Sequence, residues 1–139
     1  MTQEDKELLL KDLCARLPYG VIVKVSKEDN GSIKSYNKIF DAEIYKFLLL
    51  NGYTERGIIY HYSQFSLKPY LRPMSSITEE ERGEFRKVGG VMSYSPQHDT
   101  WAISAFAPEA YDWLNKNKFD YRGLIPMGLA LEAPEDMYK

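Results

Sequence analysis

The chain is poor in the residues that most often carry chemistry. Its 139 residues include one cysteine and two histidines. A lone Cys14 cannot close an internal disulfide, which fits a reducing cytoplasm. His61, His98 and Cys14 show no pair at ligand spacing, so no metal is expected. There is no Gly-x-Ser-x-Gly elbow, and Ser75-Ser76 reads as part of a turn. Gly89-Gly90 is followed by neither Lys-Ser nor Lys-Thr, so it is not a phosphate loop, and no cofactor is expected. No apolar run approaches the ~20 residues of a membrane helix. The amino terminus lacks the basic-then-apolar pattern of a leader, so a cytoplasmic protein is expected. Charge of one sign is also lacking. The net charge is −2, which disfavours broad electrostatic capture of nucleic acid.

What remains is an ordinary globular balance, 44% hydrophobic and 27% charged, in a chain the length of one domain, residues 1–139. A chain of this size buries roughly two thirds of its unfolded surface, enough for a core without staples. The unusual feature is the presence of 11 tyrosines, which suit half-buried strand faces and contact surfaces alike.

Thr2 and Asp5 resemble a helix cap, and Leu9, Leu10, Leu13 and Leu17 repeat at helical spacing up to Pro18. A first helix over 3–16 follows, with Cys14 a small core residue beside the stripe. Val21 to Val25 is β-branched, Asn30-Gly31 is a hairpin turn, and a second strand runs from Ser32 to Ile39. Phe40 to Leu50 fits two patterns. As a helix, Phe40, Ile44, Phe47 and Leu48 share a face. As a strand, Phe40, Ala42 and Ile44 alternate with Asp41 and Glu43, and Ile44–Leu50 pairs with Ile58–Tyr62. The strand is preferred.

Pro69 and Pro73 then bracket a crossing through which neither a helix nor a central strand should run, with Tyr70 and Leu71 folded inward. Thr78 and Glu81 have capping-box spacing for a helix over 79–87, where Glu79, Glu80 and Glu81 favour the positive end of the dipole. Gly89-Gly90 ends it. Val91–Tyr94 and Trp101–Ser104 form a second hairpin. Pro108 starts a helix that covers Glu109–Asn117. Asp120 caps one more short turn to Met127, Leu129–Leu131 is extended, and Pro134–Lys139 is polar and prone to fray. The fold class expected is α+β: a small antiparallel meander or partly open barrel of four to five strands, an N-terminal helix and C-terminal helices.

The best functional signal is an interleaving of aromatic and basic residues in the front half: Lys34, Tyr36, Lys38, Phe40, Tyr45, Lys46, Phe47, Tyr60, Tyr62, Lys68, Tyr70 and Arg72. Trp113, Tyr121 and Arg122 add residue types that dominate binding hot spots. Small barrels that bind single-stranded nucleic acid use such a mixture, and so does any half-exposed tyrosine-rich sheet. His61 reads as an ordinary strand residue and His98 as a turn residue.

Lys68-Pro69-Tyr70-Leu71-Arg72-Pro73-Met74-Ser75-Ser76 with Thr78-Glu79-Glu80-Glu81 forms one distinctive segment. Phe119-Asp120-Tyr121-Arg122-Gly123-Leu124-Ile125 through Gly128-Leu129-Ala130-Leu131-Glu132-Ala133-Pro134 forms another. With Leu17-Pro18-Tyr19-Gly20-Val21, they resemble a family of short uncharacterised proteins from gut Bacteroides-type bacteria and their phages or other mobile elements. The resemblance covers about a third of the chain and implies an element-encoded accessory protein, with no activity or site to carry over. The expectation is therefore a non-enzymatic protein that binds another protein. A single-stranded nucleic-acid binder and a small enzyme without a recognisable motif are the alternatives.

Overall fold

The computed structural model describes residues 2–29, 31–50, 66–95, 97, 100–105 and 107–138. Helix α1 spans Gln3–Arg16. Thr2 Oγ1 accepts the Asp5 N–H and the Asp5 carboxylate accepts the Thr2 N–H, each at 3.1 Å, a reciprocal cap that satisfies two orphan donors. Its buried stripe is Leu9, Asp12, Leu13 and Arg16, so two charges lie among the leucines. Cys14 is exposed rather than in the core. A 3₁₀ turn at Leu17–Tyr19 and Gly20 at φ 71° then redirect the chain into the sheet.

Strands β1 (Ile22–Asp29) and β2 (Ser32–Ile39) form the expected hairpin. Helix α2 covers Ala42–Leu50, so the strand preferred for 40–50 is overturned. Asp41 Oδ1 accepts the Ile44 N–H at 3.0 Å, and Asp41 O accepts the Tyr45 N–H at 2.9 Å, which makes Asp41 a helix cap. Phe40 and Ile44 enter the core. The proposed partner strand 58–62 lies outside the described residues.

Strand β3 (Ser66–Leu71) pairs antiparallel with β1, and the short β6 (Leu131–Glu132) pairs parallel with β3. Among the described residues, the order β2-β1-β3-β6 is therefore a mixed sheet, neither closed into a barrel nor a sequential meander. A central strand does run through Pro69, against expectation. Phe40 N–H donates to Val21 O at 2.8 Å, which makes Val21/Phe40 and, by alternation, Val23/Lys38 the hydrogen-bonded pairs of the hairpin. Val23 then turns its main-chain groups toward β2, and its β3 partner Pro69 needs no N–H toward β1. On the other side, β6 begins to pair only at Tyr70. Leu71 is buried as expected, while Tyr70 lies on the opposite face.

A second hairpin, β4 (Gly90–Ser95) with β5 (Thr100–Ala105), forms its own two-stranded sheet. Helices α3 (Glu79–Lys87) and α4 (Pro108–Lys116) flank it. The chain is α+β, with an N-terminal helix and helices in the back half. One core cluster joins Leu9 and Leu13 of α1 to Val21, Val23, Val25, Phe40, Leu67, Leu71, Leu124 and Leu129. Fully burying each such side chain contributes roughly 1.5–3 kcal/mol. A second joins Met74, Phe85, Ala110, Leu114 and Phe119. Among the described residues, no helix is long and apolar enough to cross a membrane.

The tail does not fray as expected. Tyr138 hydroxyl accepts the Ile22 N–H at 2.9 Å and donates to Tyr70 O at 2.7 Å. Ile22 and Tyr70 are the next positions of the β1–β3 ladder, so one side-chain oxygen stands in for a main-chain bond. Desolvation pushes the Tyr138 pKa up to about 12, against the opposing effect of the Ile22 N–H. Tyr138→Phe is expected to cost about 1–3 kcal/mol, because an amide and a carbonyl lose their partner. The folded pKa lies above the ordinary value of about 10. The stabilisation is thus fully present below about pH 10 and is lost as pH rises toward 12. Thermal melts should show the wild type converging on the variant across that window; a constant gap would exclude the hydroxyl's role.

Candidate functional site

The sheet separates the sequence-predicted contact residues. Lys34, Tyr36 and Lys38 lie on the face shared with Val23 and Val25, by register, while Lys68 and Tyr70 lie on the other. Tyr70 hydroxyl donates to Asn37 Oδ1 at 3.1 Å across that second face. Tyr45 of α2 packs against the first core cluster, and Lys46 is exposed. Phe40 is core. Tyr60, Tyr62, His61 and His98 lie outside the described residues.

Several of the other candidates hold the fold together. Arg72 makes a two-pronged pair with Glu81, at 2.7 and 2.8 Å, and its guanidinium lies 4.2 Å from the centroid of the Phe119 ring. This ties the end of β3 to the first turn of α3. The Arg72 hydrogen bond is the main reason the Glu81 pKa is held below the usual carboxylate range. Trp113 stacks on Phe119 with centroids 5.6 Å apart and lies 5.3 Å from Phe85. It belongs to the second core's wall.

Arg122 leads to a cluster that sequence reading missed. Asp12 and Arg16 are wholly buried. Arg16 Nε and Nη2 donate to the two Asp12 oxygens at 2.9 and 3.0 Å, Nη2 donates again to Phe119 O at 2.7 Å, and Arg122 Nη1 donates to Asp12 Oδ1 at 2.7 Å. Both guanidiniums face the Tyr121 ring, at 5.5 and 4.5 Å. The Tyr121 hydroxyl donates to Asn115 Oδ1 at 3.0 Å, and burial raises its pKa. A signal was present: Asp12 and Arg16 sit four apart on the same stripe as Leu9 and Leu13, a place a solvated pair does not occupy.

The most exposed element is β2. Every described residue from Ser32 to Ile39 is exposed except Lys38, which is intermediate. Ile33 is 75% exposed, Ile39 58% and Tyr36 45%. The alternation fixed by the Val21/Phe40 pair points the main-chain N–H and C=O groups of Ile33, Ser35, Asn37 and Ile39 away from β1. Among the described residues, no strand pairs with that side. Lys38 reaches Glu43 at 3.6 Å and Asp41 at 3.9 Å, loose and exposed pairs of small energetic weight. Cys14 is exposed on α1, and desolvation raises its pKa, the reverse of an activated thiolate. Among the described residues, no three His, Cys, Asp or Glu side chains group as a metal site. Compared with known proteins, the chain matches no family model, no curated protein and no solved structure.

Proposed function

We propose that this protein is a non-enzymatic accessory protein, element-encoded and cytoplasmic, that binds an extended segment of a partner protein along β2. The observation that supports this is an eight-residue strand that, among the described residues, is paired on one side only and exposed on both faces. A strand edge of that length is a template for a further strand. Main-chain groups of Ile33, Ser35, Asn37 and Ile39 supply affinity, and Ile33, Tyr36 and Ile39 supply apolar contacts. Lys34 and Lys38 favour a segment that carries carboxylates.

A single-stranded nucleic-acid binder draws less support. Arg72 and Arg122 are engaged by Glu81 and Asp12, and the lysines of β2 and β3 point to opposite faces.

Ser35→Pro removes one edge donor and the hydroxyl contact with Ser26 at 2.9 Å, but none of the main-chain β1–β2 bonds, so the fold should survive. In affinity capture from native lysate, a partner retained by the wild type should be lost with this variant. Hydrogen exchange at Ile33, Ser35, Asn37 and Ile39 should slow in the complex. A wild type that retains nothing, or equal retention by both proteins, would count against the reading.

A further inference from the structure

We propose that the segment that pairs with β2 is β2 of a second copy of this chain, an inference that rests on β2 being an edge that accepts a strand. The observation is a symmetry in the sequence. Ile33-Lys34-Ser35-Tyr36-Asn37-Lys38-Ile39 reads almost the same in both directions. Two antiparallel strands related by a two-fold axis present the same patch to each other, each residue meeting its reflection through the axis. With the axis at Tyr36, Ile33 meets the partner's Ile39, Ser35 meets the partner's Asn37, and Tyr36 meets the partner's Tyr36.

The main chain fits this axis. Ile33, Ser35, Asn37 and Ile39 point their N–H and C=O groups outward. About Tyr36 these residues meet only one another, so they form the hydrogen-bonded pairs. Tyr36 then takes a non-hydrogen-bonded position, where Cα atoms lie about 4.5 Å apart and side chains come closest. Aromatic pairs suit that position. On the opposite face Ile33 and Ile39, 75% and 58% exposed, cover each other. An axis at Ser35 would set Ile33 against Asn37 and leave Ile39 beyond the strand pair. An axis at Asn37 would set Ile39 against Ser35 and leave Ile33 beyond it.

The charges decide between a foreign segment and a second copy. Lys34 meets the partner's Lys38, and like charges directly opposite are unfavourable. Lys38, however, has Glu43 at 3.6 Å and Asp41 at 3.9 Å. What Lys34 meets is therefore one cation with two carboxylates, a group of complementary sign. Among the described residues, Lys46 of α2 forms no ion pair with either carboxylate. The β1 positions beside Lys34 on that face, 27 and 29, are a lysine and an aspartate and add no net charge. The carboxylates that suit the β2 lysines are thus supplied by the chain itself.

The test is sedimentation equilibrium of the intact protein across a wide concentration range. The wild type should form a dimer whose population rises with concentration. Tyr36→Lys keeps every outward main-chain group but sets two lysines face to face at the axis. It should weaken the dimer by about tenfold or more. Tyr36→Cys and Ile33→Cys, each combined with Cys14→Ser, read the register. Thiols at position 36 fall within disulfide reach of each other, whereas those at position 33 lie about 20 Å apart. Mild oxidation should cross-link the first protein and not the second. A monomeric wild type, a dimer unmoved by Tyr36→Lys, or equal cross-linking at both positions would overturn the proposal. A monomer that loses a lysate partner on Ser35→Pro would leave the edge reading standing with a foreign occupant. A monomer that retains no partner would remove both.

Discussion

Replacing Asp12 with alanine is expected to destabilise the protein by about 3–5 kcal/mol, the cost of leaving a buried charge without its partner. The loss arises because Arg16 is wholly buried and donates two of its hydrogen bonds to Asp12. Against a typical total of about 5–15 kcal/mol, such a loss removes much of the folded population. Arg122→Gln should cost far less, since that side chain is 18% exposed and Asp12 keeps its two bonds to Arg16. A paired replacement, Asp12→Leu with Arg16→Met, should recover part of the stability, because the buried charges go together while Phe119 O and the partly exposed Arg122 each lose a partner. Urea denaturation of the four proteins measures all of this. A small loss for Asp12→Ala would mean that the pair is not buried in solution.

The second large effect is expected at Gly90. The Phe85 ring seats directly against this residue, and a Cβ there would meet three of its ring carbons. Phe85 is wholly buried within the second cluster. The ring cannot step aside without disturbing Trp113, its neighbour at 5.3 Å. Gly90→Ala is therefore expected to cost about 1–3 kcal/mol or more through overpacking. Gly83, inside α3, supplies the control: a Cβ there meets nothing within 4 Å. Gly83→Ala should stabilise by about 0.5–1 kcal/mol through helix propensity. Thermal melts should show opposite signs; equal losses at both sites would remove the packing argument.

The elements that were legible in the sequence are those whose signals are local. Thr2 with Asp5 and Thr78 with Glu81 start helices within three residues of themselves. Pro108 does the same in its first turn, and Asn30-Gly31 joins two strands that are neighbours in the chain. The segment 42–50 misled because its apolar residues satisfy both periods, and the Asp41 cap that decides between them is a single side chain. Pro69 misled for another reason. Whether a proline breaks a strand depends on which way its nitrogen faces, and that is set by the register with Val23, more than forty residues earlier. Of the candidate contact residues, Lys34 and Tyr36 are exposed and Lys38 is half-exposed, whereas Arg72, Trp113 and Arg122 look like hot-spot residues only until Glu81, Phe119 and Asp12 take them up. Composition names such residues; it does not say that they are already occupied.

The first core cluster draws Leu9 and Leu13 together with Leu124 and Leu129, so its halves are more than a hundred residues apart in the chain. During synthesis, the early hairpin and α1 emerge long before the segment that roofs them. Contacts of such long separation also slow folding once the chain is released. A nascent chain of this protein would spend that interval with its valine face open to water, the condition under which holding chaperones engage a client.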